Sequence, residues 1–155
     1  MYNGIYTAQV ASTAIAAGFV LIELQVPANV QIEIIRFWMG AAEGDNPVDE
    51  IQEIEIYGND AAATGGAGMT EQVIQGAADQ ASAITALTGP AQGATETRLY
   101  RDAYHTQNGW LYSPLEDERI RVVGGTVIDN VGVSFPVSPD QSMTVSFGIT
   151  WGELG

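Results

Sequence analysis

The feature that most constrains this chain is a period-two alternation of apolar and polar residues, repeated in short runs. Near the C-terminus, Met143, Val145, Phe147, Ile149 and Trp151 alternate with Thr144, Ser146, Gly148 and Thr150. In an extended chain, successive side chains point to opposite faces, so this run predicts a half-buried strand. Ile22, Leu24 and Val26 alternate with Glu23 and Gln25, and Val30, Ile32 and Ile34 alternate with Gln31 and Glu33. Pro27-Ala28-Asn29 lies between these two runs and reads as a tight turn, which makes 18–39 a hairpin. Ile34 and Ile35 are adjacent apolar residues, and a β-bulge there would carry the alternation on through Arg36, Phe37, Trp38 and Met39. A fourth strand places Ile54 and Ile56 opposite Glu53, Glu55 and Tyr57 and ends at Gly58-Asn59-Asp60. Shorter runs follow at 95–101, 109–112, 119–123 and 131–137, and 5–10 opens the sheet. Short strands in this number, separated by turn residues, predict an all-β chain: an antiparallel β-sandwich, jelly-roll-like.

One stretch departs from this pattern. Residues 60–93 are rich in Ala, Gly, Thr and Gln. Their first part, 61–68, has the composition of a flexible loop. Their second part spaces Val73, Ile74, Ala77, Ala81, Ile84 and Leu87 roughly as a helix would, although Gly76 costs a helix about 1 kcal/mol relative to Ala. The expectation is a long insertion, flexible or partly helical, within a single domain spanning 1–155.

Charge narrows the partners. Nineteen acidic residues face five basic ones, all arginine, for a formal net charge of -14. Such a surface repels phosphate backbones and anionic bilayers, so neither nucleic acid nor membrane is expected as a partner. Self-repulsion in solution and adaptation to high salt both account for the imbalance. The apolar stretch 18–24 is far too short to span a bilayer, and the first residues carry no basic region of a signal peptide. Cysteine is absent, which removes disulfides and thiolate zinc sites.

A reactive centre is hard to assemble from what remains. His105 is the sole histidine and lies in a polar turn, 104–109. Ser113 is near it in sequence but lacks a Gly-x-Ser-x-Gly elbow. The acidic stretches 43–50 and 116–118 read as solvated loops, because Pro47 and Val48 interrupt the ligand order of a calcium loop. Gly65-Gly66-Ala67-Gly68 lacks the lysine and the strand–helix frame of a phosphate loop. No catalytic residue, cofactor or metal is expected. The large side chains carry more information. Tyr2, Tyr6, Trp38, Trp110, Tyr112 and Trp151 lie on or beside strands, and Arg119 and Arg121 project from one face just after the acidic triplet 116–118. These eight are the candidate interface residues, with intramolecular pairing of the arginines to the triplet as the plainer alternative.

The run Asn108-Gly109-Trp110-Leu111-Tyr112-Ser113-Pro114-Leu115-Glu116-Asp117-Glu118-Arg119 resembles a pattern of small virion proteins of tailed phages. Val26-Pro27-Ala28 before an Ile-rich strand, the acidic loop 43–50, Pro90-Ala91-Gln92-Gly93-Ala94-Thr95 and the tail Trp151-Gly152-Glu153-Leu154-Gly155 agree with it. The resemblance runs from about Val26 to the end and excludes 60–93. It implies a non-enzymatic head decoration (cement) subunit with a jelly-roll-like fold on the outer surface of the virion head. Its partners would be the major capsid protein and copies of itself, as a homotrimer. A tail or baseplate component remains open on the same likeness. A carbohydrate-binding adhesin module is the alternative from another class, and exposed Trp110 and Tyr112 lining a groove would mark it.

Overall fold

The structure, a computed structural model, describes residues 2–15, 20–42, 49–76, 81–91, 96–137, 139–140 and 143–154. Its strands are β1 (Tyr2–Ile15), β2 (Val20–Gln25), β3 (Gln31–Ala41), β4 (Ile51–Asn59), β5 (Ala67–Gly68), β6 (Gln72–Gln75), β7 (Thr85–Thr88), β8 (Glu96–His105), β9 (Trp110–Tyr112), β10 (Arg121–Val123), β11 (Asn130–Ser134) and β12 (Met143–Leu154). One 3-10 turn, Glu116–Glu118, lies between β9 and β10. The strands form two six-stranded sheets. The first runs β10-β3-β12-β1-β6, with β9 also paired to β3, and the second runs β5-β7-β2-β11-β4-β8. The chain is therefore an all-β antiparallel sandwich. Its pairings are nested: β1 with β12, β2 with β11, β3 with β9 and β10, and β4 with β8.

This nesting overturns the hairpin expected at 18–39. β2 pairs with β7 and β11 in the second sheet, whereas β3 pairs with β12, β10 and β9 in the first. Pro27 and Asn29, the latter at φ 69, do make the tight turn, closed by Val30 N–H donating to the Pro27 carbonyl at 3.1 Å. Turn chemistry fixes a reversal of direction but not the pairing partner. Here the corner is held from outside, by Val26 N–H donating to the Asp129 carbonyl at 3.1 Å and Gly124 N–H to the Val30 carbonyl at 2.8 Å. Crossing between sheets lets the apolar faces of both strands meet across one core.

The bulge falls where the sequence placed it. Trp151 pairs with Ile34 and Thr150 with Arg36, which leaves Ile35 unpaired on β3. Ile32 and Ile34 before it, and Phe37 and Met39 after it, are thereby all buried. From β12, Met143, Val145, Phe147, Ile149 and Trp151 join them, with Phe37 and Phe147 stacked at 6.3 Å. Truncating Phe37, Phe147 or Trp151 to alanine would cost about 3–5 kcal/mol, and truncating the isoleucines or methionines about 2–5 kcal/mol.

The helix expected in 60–93 is not formed by the described residues. Gln72–Gln75 pairs with β1 as β6, and Thr85–Thr88 pairs with β2 as β7. Gly76, at φ 142, lies outside helical geometry, and the β-branched Val73 and Ile74 just before it favour extended backbone. Of the residues with helical spacing, Ala77 lies outside the described residues, as do 43–48 of the acidic loop and 92–95 of the motif after Pro90. The segment runs from the second sheet, through β5, to the edge of the first, through β6, and so walls one side of the sandwich.

Candidate functional site

The eight expected interface residues divide by burial. Tyr6 and Trp151 are 1% and 0% exposed and stack on each other at 5.9 Å inside the core. They are framework residues, and the period-two pattern itself turns them inward. Trp110 and Tyr112, at 8% and 7% exposed, are also buried, on the inner side of β9. They close the side of the sandwich where β9 of the first sheet faces β8 of the second. Tyr100 packs against both, 5.1 Å from Tyr112 and 6.3 Å from Trp110. Asp102 locks this edge by accepting from the Trp110 indole N–H at 3.0 Å and the Tyr100 hydroxyl at 3.4 Å. The Trp110 bond, together with the Ala103 N–H, holds the Asp102 carboxyl below the usual carboxylate range. Leu111 and Leu115 beside this edge are exposed, at 63% and 70%, as is Tyr100 at 39%.

Tyr2, Trp38, Arg119 and Arg121 belong to the outer face of the first sheet or its rim. Two of them rest on glycines of β12. A Cβ on Gly152 would fall 2.4 Å from the Tyr2 ring, and one on Gly148 would fall 2.7 Å from Trp38 Nε1. The absence of side chains at these two positions lets the rings lie across the strand. Tyr2 then reaches Glu33, donating its hydroxyl to Oε2 at 2.5 Å. Arg121 Nε donates to Glu33 Oε1 at 2.5 Å, while Arg119 donates to the Tyr2 hydroxyl at 2.5 Å and lies 3.7 Å from Glu33. The arginines thus pair with Glu33 rather than with 116–118, because β10 is registered beside β3, with Arg121 opposite Glu33. Burial pushes the Glu33 carboxyl up, but its bonds from Tyr2 and Arg121 and the nearby charge of Arg119 outweigh that and hold it below the usual range. Burial and the Glu33 carboxylate push the Tyr2 hydroxyl up.

A second buried acid went unnoticed in the sequence. Glu23 is 0% exposed on the outer face of the second sheet. It accepts from the Tyr57 hydroxyl at 2.9 Å, Asn59 Nδ2 at 3.3 Å and the Ala63 N–H at 2.7 Å. Glu23, Gly132 and Tyr57 form one cross-strand row, and Tyr57 crosses over Gly132, whose Cβ would lie 2.3 Å from the Tyr57 hydroxyl oxygen. Burial and the Glu23 charge raise the Tyr57 hydroxyl far above its ordinary range. Glu153 plays a matching part at the end of β12, accepting from the Ser82 hydroxyl at 2.6 Å and the Ala83 N–H at 3.0 Å. Glu71 accepts the Ala86 N–H at 3.3 Å. Glu23 and Glu153 therefore bolt the Ala/Gly-rich segment to other strands, and Glu71 ties two parts of the segment to each other. The alternation of Glu23 with Ile22 and Leu24 gave its face correctly, but nothing local signalled that another segment covers it.

His105 contacts Asp49 at 2.6 Å, at the end of β8, and is half-exposed. Glu96, pushed upward by burial and by the charges of Glu55 and Glu23, lies on an exposed strand and not in a cleft. Among the described residues no cluster of three or more His, Asp or Glu side chains converges as a metal site, and no helix is long and apolar enough to cross a membrane. A cleft of about 530 Å³ opens on the outer face of the first sheet beside Trp38. No family model matches the chain, and no curated protein is significantly similar to it.

Proposed function

We propose that this chain is a structural subunit of a tailed-phage virion, a decoration (cement) protein on the outer surface of the head. The observation that carries this reading is the nested pairing of β1–β12, β2–β11, β3–β9/β10 and β4–β8 across two sheets. We read that order as a jelly roll enlarged by β5, β6 and β7, an architecture that recurs in viral capsid domains. The step from fold to role is analogy, and the sequence resemblance adds to it. The use of the buried acids supports a scaffold. Glu23, Glu33 and Glu153 each accept hydrogen bonds from other elements and stiffen the slab, and the exposed Asp102 does the same at its rim. Exposed Leu111 and Leu115 supply apolar area for a contact with the major capsid protein or with further copies in a homotrimer. The subunit works without catalysis, cofactor or nucleic acid.

The experiment is an add-back. Particles stripped of their outer proteins are mixed with purified protein, sedimented and heated. Uptake at a fixed stoichiometry and a higher temperature of genome release support the proposal, and absence of uptake refutes it. The variant Leu111→Asp with Leu115→Asp, which puts charge on exposed positions, is expected to fold normally and lose uptake. A tail or baseplate role draws on the same likeness, and uptake by isolated tails but not heads would select it. The adhesin alternative, which exposed Trp110 and Tyr112 lining a groove would have marked, is disfavoured, since both side chains are buried.

A further inference from the structure

We infer that the cleft beside Trp38 is a binding site for a neutral saccharide. Trp38, Gly148 and Gln9 stand side by side on β3, β12 and β1 in one cross-strand row of the outer face. The indole lies across Gly148, where Cε2 and Cζ2 would each be 2.8 Å from an added Cβ. One side of the ring is thereby backed by the sheet, and the residue lines the cleft. In the next row Gln72 of β6 pairs with Thr7 of β1, which places it on the same outer face as Gln9. Met69 and Thr70, between β5 and β6, form the opposite wall. The cleft's volume, about 530 Å³, falls within the range of about 300–1,000 Å³ typical of small-ligand sites.

The chemistry of the lining selects the ligand. None of the side chains that line this cleft is charged, on a chain of net charge -14. A cation would find no carboxylate there, and an anion would meet the repulsive field of the whole molecule. A purely apolar ligand would strip water from Gln9, Thr70 and Gln72 without replacing its hydrogen bonds. Those three side chains and the Trp38 indole N–H make no hydrogen bond to another described residue. A sugar ring meets both demands. Its C–H face packs on the indole, and its hydroxyls donate to and accept from the two amides, which offer both kinds of partner. The inference stands apart from the virion role, because the cleft belongs to a single subunit.

Fluorescence of the full-length protein tests it. Trp110 and Trp151 are 8% and 0% exposed, so acrylamide quenching reports mainly on the more accessible Trp38. Neutral gluco-, manno-, galacto- and N-acetylglucosamine hexasaccharides are titrated to about 10 mM, with a uronate hexasaccharide as the charged control. At least one neutral probe is expected to protect Trp38 saturably. Gln9→Ala with Gln72→Ala, both exposed, is expected to weaken that probe about tenfold while leaving the melting temperature unchanged. Trp38→Ala, checked for folding by circular dichroism, is expected to abolish binding measured by calorimetry. The inference is overturned if no neutral probe protects, if the double glutamine variant binds as the parent does, or if the uronate binds equally well.

Discussion

Replacing Glu23 by alanine is expected to destabilise the fold by about 4 kcal/mol and to loosen 61–67 first. The side chain is 0% exposed and accepts from three donors on two other segments: the Tyr57 hydroxyl, Asn59 Nδ2 and the Ala63 N–H. A hydrogen bond to a charged group contributes about 1.5–3 kcal/mol net, and a buried donor left unpaired costs about 1–3 kcal/mol. The Asn59 contact, at 3.3 Å, belongs at the weak end. A water molecule entering the vacated volume would recover part of the loss, which brings the sum to about 3–5 kcal/mol. Glu23→Gln keeps the shape and one carbonyl oxygen for the Ala63 N–H, so about 1–2 kcal/mol is expected. For a chain of this size each kcal/mol moves the melting temperature by about 2–4 °C, giving falls of about 6–20 °C for alanine and about 2–8 °C for glutamine. Urea titration gives the free energies, and amide hydrogen exchange gives the locality, with Ala63 and its neighbours exchanging faster than β11 or β12. An alanine variant within about 0.5 kcal/mol of the parent, the level of an ordinary surface substitution, would refute the reasoning. A full loss with unchanged exchange at 61–67 would refute the locality.

Gly132→Ala should act through the same row, because its Cβ would lie 2.3 Å from the Tyr57 hydroxyl oxygen and 2.4 Å from Cζ. The ring must move off Glu23, at about 2–4 kcal/mol in urea unfolding, and a variant of parental stability would contradict the close approach. Acid should weaken the fold through Glu33 and Asp102, whose carboxyls are held below the ordinary range in the folded chain. The unfolded chain then binds protons more readily, so their contribution is complete above about pH 5 and is lost as pH falls through their lower folded values. Melting temperature followed through that window should decline for the parent and less steeply for Glu33→Gln, and identical slopes would count against the Glu33 assignment.

The strands were legible wherever one face meets the core and the other meets solvent. The alternation in 143–151 gave β12, and the doubled isoleucine at 34–35 gave the bulge, because a change of face must show in the order of residues. β1 extends well beyond the expected 5–10, to Tyr2–Ile15, since Thr13 and Ala14 carry little alternation of their own and pair because β12 lies alongside. The arginines at 119 and 121 were placed on one face correctly, yet their partner, Glu33, is 88 residues from Arg121. Trp38 was singled out among the large side chains, but the neutral cleft around it joins β1, β3 and the segment at 68–72, which no local pattern connects.

Sequence alone determined the all-β class, the inward face of most strands and the uneven charge, because each follows from neighbouring residues and the two-residue repeat of an extended chain. Tertiary structure decided which strands pair, why Pro27-Ala28-Asn29 turns a corner between sheets instead of closing a hairpin, and which acids become buried. It also turned 72–75 and 85–88 into strands. Those outcomes depend on contacts between distant segments: an exposed-looking glutamate is buried only when another part of the chain brings its N–H groups to it.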